Sequence, residues 1–177
     1  MKKNILQRGF TLIELLIVIA ILGILAGAVL VAINPLEQLA RGRDAGRKTT
    51  VQQLGNAVQS YYTTQNAVYP ISTAPWMTTL QTTGELKTMP TNSAGTGYTT
   101  GCNSVDPNIS QNGYCYQSNG TDAIVYARAE SKSSLTAAGC NAAAQQTWIV
   151  WSSADGKTGL TCVNLNSDPS IGVTGLK

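Results

Sequence analysis

The residues whose chemistry is most exposed to question are five: one glutamate and four cysteines. Glu14 is the sole charge in the run Phe10 to Ile33, FTLIELLIVIAILGILAGAVLVAI. A carboxylate inside hydrocarbon costs on the order of 2.5 to 3.5 kcal/mol even on lenient insertion scales, so its presence asks for a compensating partner. Two answers stand open. Glu14 sits near enough to the interface to stay hydrated, or it pairs with a cation in a low-dielectric setting where ion pairs are strong. A free amine created by cleavage after Gly9 would lie one helical turn away in sequence; pairing within one chain is geometrically poor, whereas the amine of a neighbouring chain shifted along a common axis could reach.

Cys102, Cys115, Cys140 and Cys162 all lie in the C-terminal part, without a C-x-x-C pair. An even count without zinc-type spacing points to disulfides in an oxidising compartment. Three pairings exist; Cys102 with Cys115 and Cys140 with Cys162 are favoured because each closes a modest loop. Four buried free thiols are the plainer alternative.

The chain has no histidine, which removes the usual proton carrier near neutral pH and the commonest nitrogen metal ligand. No Ser-His-Asp or Cys-His arrangement can exist, and no carboxylates pair at informative spacing. A non-enzyme without cofactor is expected, and a signal-anchored extracytoplasmic enzyme or binding protein is the weaker alternative.

Net charge gives no sign of a nucleic-acid surface. The formal +3 comes from Lys2, Lys3 and Arg8; without residues 1–9 the chain carries nine basic and nine acidic side chains. Beyond residue 49 stand five basic residues (Lys87, Arg128, Lys132, Lys157, Lys177) against six acidic ones, so no basic face is visible. Binding to DNA would have to use groups such as Lys132, Trp148 or Trp76.

The elements that must position Glu14 follow from hydropathy. As a helix, the 24 residues from Phe10 to Ile33 reach roughly 36 Å, enough for a bilayer core. A secretory signal has a shorter apolar core and a small-residue cut site after it; here the basic leader abuts the apolar run with Gly9 at the junction. Gly23 and Gly27 supply small-xxx-small spacing, suited to close helix packing or merely incidental. Pro35 should kink or locally melt the helix.

From Leu36 to about Gln65 the pattern resumes in amphipathic form, with Val51, Leu54, Val58 and Tyr61 on one face. The cluster Arg41, Arg43, Arg47 and Lys48 reads first as a solvated face; contact with acidic lipid head groups or a neighbouring subunit is the alternative. This cluster also competes with the N-terminal basic residues under the positive-inside rule, and the cysteines decide in favour of an external C-terminal part.

Residues Arg8-Gly9-Phe10-Thr11-Leu12-Ile13-Glu14-Leu15-Leu16 closely resemble the prepilin motif of type IV pilins and type II secretion pseudopilins. The resemblance covers roughly residues 1–60. It implies that a prepilin peptidase at the inner face of the membrane cuts between Gly9 and Phe10 and methylates the new amine of Phe10. It also implies that Glu14 serves assembly by pairing with the Phe10 amine of an adjacent subunit. The implied partners are a homo-oligomeric filament with related minor pilins, the peptidase/methyltransferase, an inner-membrane assembly platform, membrane lipid before assembly, and nucleic acid only for a DNA-uptake pilin. A single-pass precursor in the cytoplasmic membrane with its head outside, then a surface or periplasmic filament, is the implied location; a secretion or competence pseudopilin is the alternative to a surface pilus. Some major pseudopilins suggest calcium at residues such as Asp155 and Asp168, but no EF-hand-like ligand spacing is present, and no metal is assigned.

The remainder organises as a head. The expected segments are a leader at 1–9, a membrane or filament-core helix at 10–33, an amphipathic continuation at 34–65 and a globular head at 66–177. Residues 66–111 read as loop with a short helical piece around Trp76 to Thr83, anchored by Trp76, Leu80 and Leu86. Tyr114–Ser118 and Ala123–Ala129 flank Asn119-Gly120, and Thr147–Ser153 and Gly159–Val163 flank Asp155-Gly156, two hairpin signals. An α+β fold of four antiparallel strands packed on the long helix is expected, with Tyr116, Ile124, Tyr126, Ile149, Trp151, Leu160 and Cys162 turned toward that helix. The sequons at Asn108 and Asn119 read as chance matches.

Overall fold

The computed structural model describes residues 9–72, 75–92, 102–103 and 109–177. The chain falls into two compact units, Met1–Gln38 and Leu39–Lys177.

In the first unit Thr11 opens helix α1 (Leu12–Ile33). Its hydroxyl accepts from the Glu14 amide, while the Glu14 carboxylate reaches back to the Thr11 amide, a reciprocal capping box that satisfies donors the first turn would otherwise leave bare. The run from Leu12 to Leu30 is long and apolar enough to cross a membrane, and none of it is buried within the chain. Helix α1 stops at Asn34, which adopts left-handed backbone (φ 45°). Helix α2 (Pro35–Thr64) then begins with proline at its first position, where a missing amide costs nothing. The Glu37 amide, one of the first in α2, donates to the Asn34 carbonyl at 3.1 Å, so Asn34 both ends one helix and helps cap the next.

The second unit contains α2 from Leu39 onward, α3 (Trp76–Thr82), β1 (Ser110–Gln111), β2 (Tyr114–Ser118), β3 (Ala123–Arg128), α4 (Lys132–Ala138), β4 (Gln145–Ser152) and β5 (Lys157–Asn164). The strands form one sheet in the order β1-β2-β3-β4-β5, antiparallel throughout. The α+β class holds, and the sheet has five strands instead of four because the two residues of β1 pair back onto Cys115 and Tyr114. Helix α4 was not visible as an apolar stripe; its signals are a serine cap, Ser131, and Gly139 in left-handed backbone after its end.

One face of the sheet meets α2 and α3. Val51, Leu54 and Val58 of α2, Trp76, Met77 and Leu80 of α3, and Tyr116, Val125, Ile149 and Trp151 of the sheet form a single buried cluster. Trp76 stacks on Tyr116 with ring centroids 4.9 Å apart, and the Tyr116 hydroxyl donates to the Pro70 carbonyl at 2.8 Å. Two of the residues assigned to this face, Ile124 and Tyr126, lie on the other one. The register sets Tyr116 opposite Val125, and successive strand residues alternate faces, so Ile124 and Tyr126 must point away. They join Cys115, Trp148 and Val150 in a second core closed by Leu176, with Cys102, Ile171 and Val173 packed against it. A sheet buried on both sides reads as a nearly continuous apolar run, which conceals which alternate residues face the helix.

Candidate assembly site

At the N-terminal end, Gly9 and Phe10 precede α1 and lie outside any hydrogen-bonded element. Phe10 is 85% exposed, and a side chain placed on Gly9 would meet nothing within 4 Å. The peptide joining them is thus free of the helix that follows. Glu14 sits one turn on, its carboxylate accepting from the Thr11 amide at 2.9 Å and the Thr11 hydroxyl at 2.7 Å. Among the described residues the acid therefore has local polar partners but no cation.

The second arrangement ties α2 to the segment between β3 and α4 and to the first turn of α4. Asp44 is 6% exposed and Arg47 3%. Arg47 donates to Asp44 at 2.8 Å through Nη1 and to Asn92 Oδ1 at 2.7 Å through Nε, and its Nη2 lies 3.4 Å from Glu130. Arg43 donates through Nε to the same Glu130 carboxylate. Asp44 in turn accepts the amides of Glu130 and Ser131, each at 2.9 Å, and the Ser134 hydroxyl at 2.8 Å. Burial pushes the Asp44 carboxyl upward, but the donors from Ser131, Glu130 and Ser134 outweigh it and hold the group below its ordinary value.

This network corrects the reading of Arg41 to Lys48 as a solvated face. Arg47 and Asp44 belong to the interior, Arg43 is paired, and Arg41 and Lys48 remain exposed. The sequence signal was available in part: Ala40, Asp44, Arg47 and Val51 continue the spacing of Leu54 and Val58, so the buried stripe runs through the charges. Its partner, Glu130, is 83 residues from Arg47, and nothing local marks that acid for burial.

Both cysteine pairs are bonded: Cys102 to Cys115 with Cα atoms 5.9 Å apart, and Cys140 to Cys162 with Cα atoms 5.4 Å apart. The first fastens the residue 102–103 piece to β2, and the second fastens the segment after α4 to β5. Trp76 and Trp148 are wholly buried, so neither offers a surface ring for stacking on a base; Lys132 is exposed. Asp155 accepts the Leu176 amide at 3.1 Å and Asp168 the Asn103 amide at 2.8 Å. Among the described residues no group of three His, Cys, Asp or Glu side chains gathers to hold a metal. Asn119 spends its carbonyl oxygen on the Thr121 and Asp122 amides at 3.0 and 2.7 Å, while Asn108 lies outside the described residues.

An apolar helix of membrane-spanning length that carries one acid in its first turn, followed in the sequence by an α+β unit, fits a membrane-anchored precursor of the pilin type. Residues 6–30 match the prokaryotic N-terminal methylation motif, and the chain carries the signature shared by type IV pilins and pseudopilins. No curated protein and no solved structure matches the chain.

Proposed function

We propose that this chain is a structural subunit of a type IV pilus or pseudopilus, cut between Gly9 and Phe10, methylated on the Phe10 amine, and assembled through its N-terminal helix. One observation carries the reading: Glu14 stands in a helix whose apolar span has no burial within its own chain. Such a helix is stable in lipid or against copies of itself, and only the second setting can bring a cation to the acid. The capping box lowers the cost of the carboxylate in the unassembled chain, since its oxygens already accept two hydrogen bonds. It does not neutralise the charge, and a neighbour's Phe10 amine would.

Removal of residues 1–9 brings the chain to formal neutrality, and the new amine is the positive group that cleavage adds beside the helix. The two disulfides support a head on the oxidising side of the membrane. The partners of this reading are the prepilin peptidase and methyltransferase, an inner-membrane assembly platform, lipid before assembly, and other copies of the chain afterwards. The chain is a substrate of the processing enzyme and no catalyst.

Mass spectrometry of the protein's N-terminus in the producing cell tests the processing. The expected chain begins at Phe10 and carries one added methyl group. A chain starting at Met1 in cells with an active peptidase would overturn the proposal.

A further inference from the structure

Strand β5 stands at one end of the sheet, so its outer edge carries backbone donors and acceptors that no further strand takes up. Residues 171–177 form no regular element, yet they return to that edge. Lys177 meets Leu160 twice: the Leu160 amide donates to the Lys177 main-chain oxygen at 2.7 Å, and the Lys177 amide donates to the Leu160 carbonyl at 3.1 Å. This is the reciprocal exchange of one hydrogen-bonded pair in an antiparallel ladder.

Side chains complete the fit. Leu176, 6% exposed, closes the second core. It lies directly over Gly159, where a Cβ would stand 2.7 Å from both the Leu176 Cβ and the Lys177 main-chain oxygen. The Leu176 amide donates to Asp155 at 3.1 Å. The Lys177 amine donates at 2.8 Å to the carbonyl of Ala138, the last residue of α4, where a helix leaves its carbonyls unpaired and favours a cation. Ahead of these contacts the Ser152 hydroxyl donates to the Val173 carbonyl at 2.7 Å, and Gly172 and Gly175 take left-handed backbone on either side.

We infer that the outer edge of β5, floored by Gly159 and bordered by the end of α4, is a slot for an extended Gly-Leu-Lys segment, filled by the chain's own Gly175 to Lys177 and open to the same segment of a second copy when its own is displaced. Three features select the occupant. Pairing with Leu160 demands extended backbone, the space over Gly159 demands an apolar side chain that reaches the second core, and the carbonyl at the end of α4 demands a cation beside it. Main-chain bonds of this kind give affinity, and the side-chain pockets give specificity. A second copy presents the same groups in the same order, so exchanging the segment replaces each contact by its equal, a low-cost link between copies. In the parent chain the tethered segment has the advantage, because a short tether holds it at an effective concentration on the order of mM. The slot lies wholly within the second unit and stands whether or not the chain builds filaments.

The test uses the full chain in detergent and a fluorescent peptide of residues 168–177. Leu176→Asp is expected to free the chain's own segment, so that the Leu160 amide exchanges about ten-fold faster or more while β2, β3 and β4 stay protected. The peptide should bind this variant saturably and return Leu160 toward parental protection. It should bind the parent about ten-fold more weakly or worse, and a peptide carrying the same Leu176→Asp change should bind neither chain. Unaltered exchange at Leu160 in the variant overturns the inference, since the segment would then not hold the edge. So does a peptide that binds the parent equally well, or no better than its Asp counterpart.

Gly159→Val gives the converse. Its side chain displaces the chain's own segment and fills the slot, so Leu160 should exchange fast and the peptide should not bind; saturable binding there overturns the inference. If Leu176→Asp costs the head its tryptophan near-UV signal, Lys177→Pro takes its place. It deletes the amide and the amine that hold Leu160 and α4 and leaves the core leucine, and the same readings decide.

Discussion

Gly55 of α2 and Trp151 of β4 touch as only glycine permits: a Cβ at Gly55 would stand 2.3 Å from the indole ring. The helix thereby lies close upon the sheet, and Trp151, 3% exposed, fills the space a side chain would take. Alanine in a helix interior is normally better than glycine by about 1 kcal/mol. At this position the order should reverse. Gly55→Ala must displace the ring or the helix, and overpacking of that kind costs roughly 1–3 kcal/mol. Gly42, on the same helix with open space around its Cβ position, is the control. Thermal unfolding of the full chain in detergent, followed by tryptophan near-UV signal, should show a lower midpoint for Gly55→Ala and an equal or higher one for Gly42→Ala.

Asp44 is expected to set the acid limit of the head. Its folded-state pKa is held below the ordinary 3.8, so its contribution is present above that value and lost as pH falls through the lower, folded one. Stability measured against pH should therefore decline on the acid side of about 4. Asp44→Asn keeps the shape but removes the charge facing Arg47, which is 3% exposed. Arg47 keeps Glu130 and Asn92 as partners, so the cost should stay below the roughly 3–5 kcal/mol of a buried charge left unpaired, and the variant should be less stable at neutral pH and show a shallower acid decline. A variant with the parental acid slope would show that other carboxylates set the limit.

The two prediction sites differ in how far the sequence discloses them. Hairpin turns at Asn119-Gly120 and Asp155-Gly156 mark their strands locally, because left-handed turn backbone selects those residue types, and both glycines have positive φ. The long apolar helix and Glu14 are legible for the same reason: their signal is contiguous. Gly55 carries no such mark, since the ring that requires it lies 96 positions later in the chain. The sequence pattern puts Ile124 and Tyr126 on the wrong face because β3 is buried on both sides and its apolar residues do not alternate with polar ones. The Arg43, Asp44, Arg47 and Glu130 network escaped because charged residues on a helix are usually solvated, and only the fold shows what meets them.

The disulfides should matter unequally to stability and to anchoring. Cys140 and Cys162, separated by 22 positions, close the longer loop, and Cys102 and Cys115, separated by 13, the shorter. On the loop-entropy picture, each is worth about 3 kcal/mol, with a small advantage to the longer. Cys140→Ser with Cys162→Ser should lower the unfolding midpoint and loosen the segment after α4. Cys102→Ser with Cys115→Ser should instead release the residue 102–103 piece from the second core, against which Cys102 packs. Hydrogen exchange by peptide separates the two: protection lost around β5 in one case and around β2 in the other. Equal, uniform loss throughout the head would mean that both bridges act only on the unfolded chain.

Glu14 caps its helix and, on the proposed reading, also serves assembly, and one substitution can separate the two. In the chain alone it completes the capping box with Thr11, the Thr11 amide donating to its carboxylate at 2.9 Å. Glutamine closes a capping box about as glutamate does, so Glu14→Gln should leave α1 formed and the chain inserted. It removes the negative charge that a neighbour's amine would need, and with it an ion pair whose strength is greatest where water is scarce. If the charge is what assembly uses, Glu14→Gln chains should be cut to begin at Phe10 yet give sheared-filament yields about ten-fold or more below the parent, a loss of at least ~1.4 kcal/mol per contact made. If capping is its whole contribution, Glu14→Gln should assemble normally and Glu14→Ala should be the weaker variant. Measuring both against immunoblots of sheared and cell-bound fractions decides between a helix cap and an assembly charge.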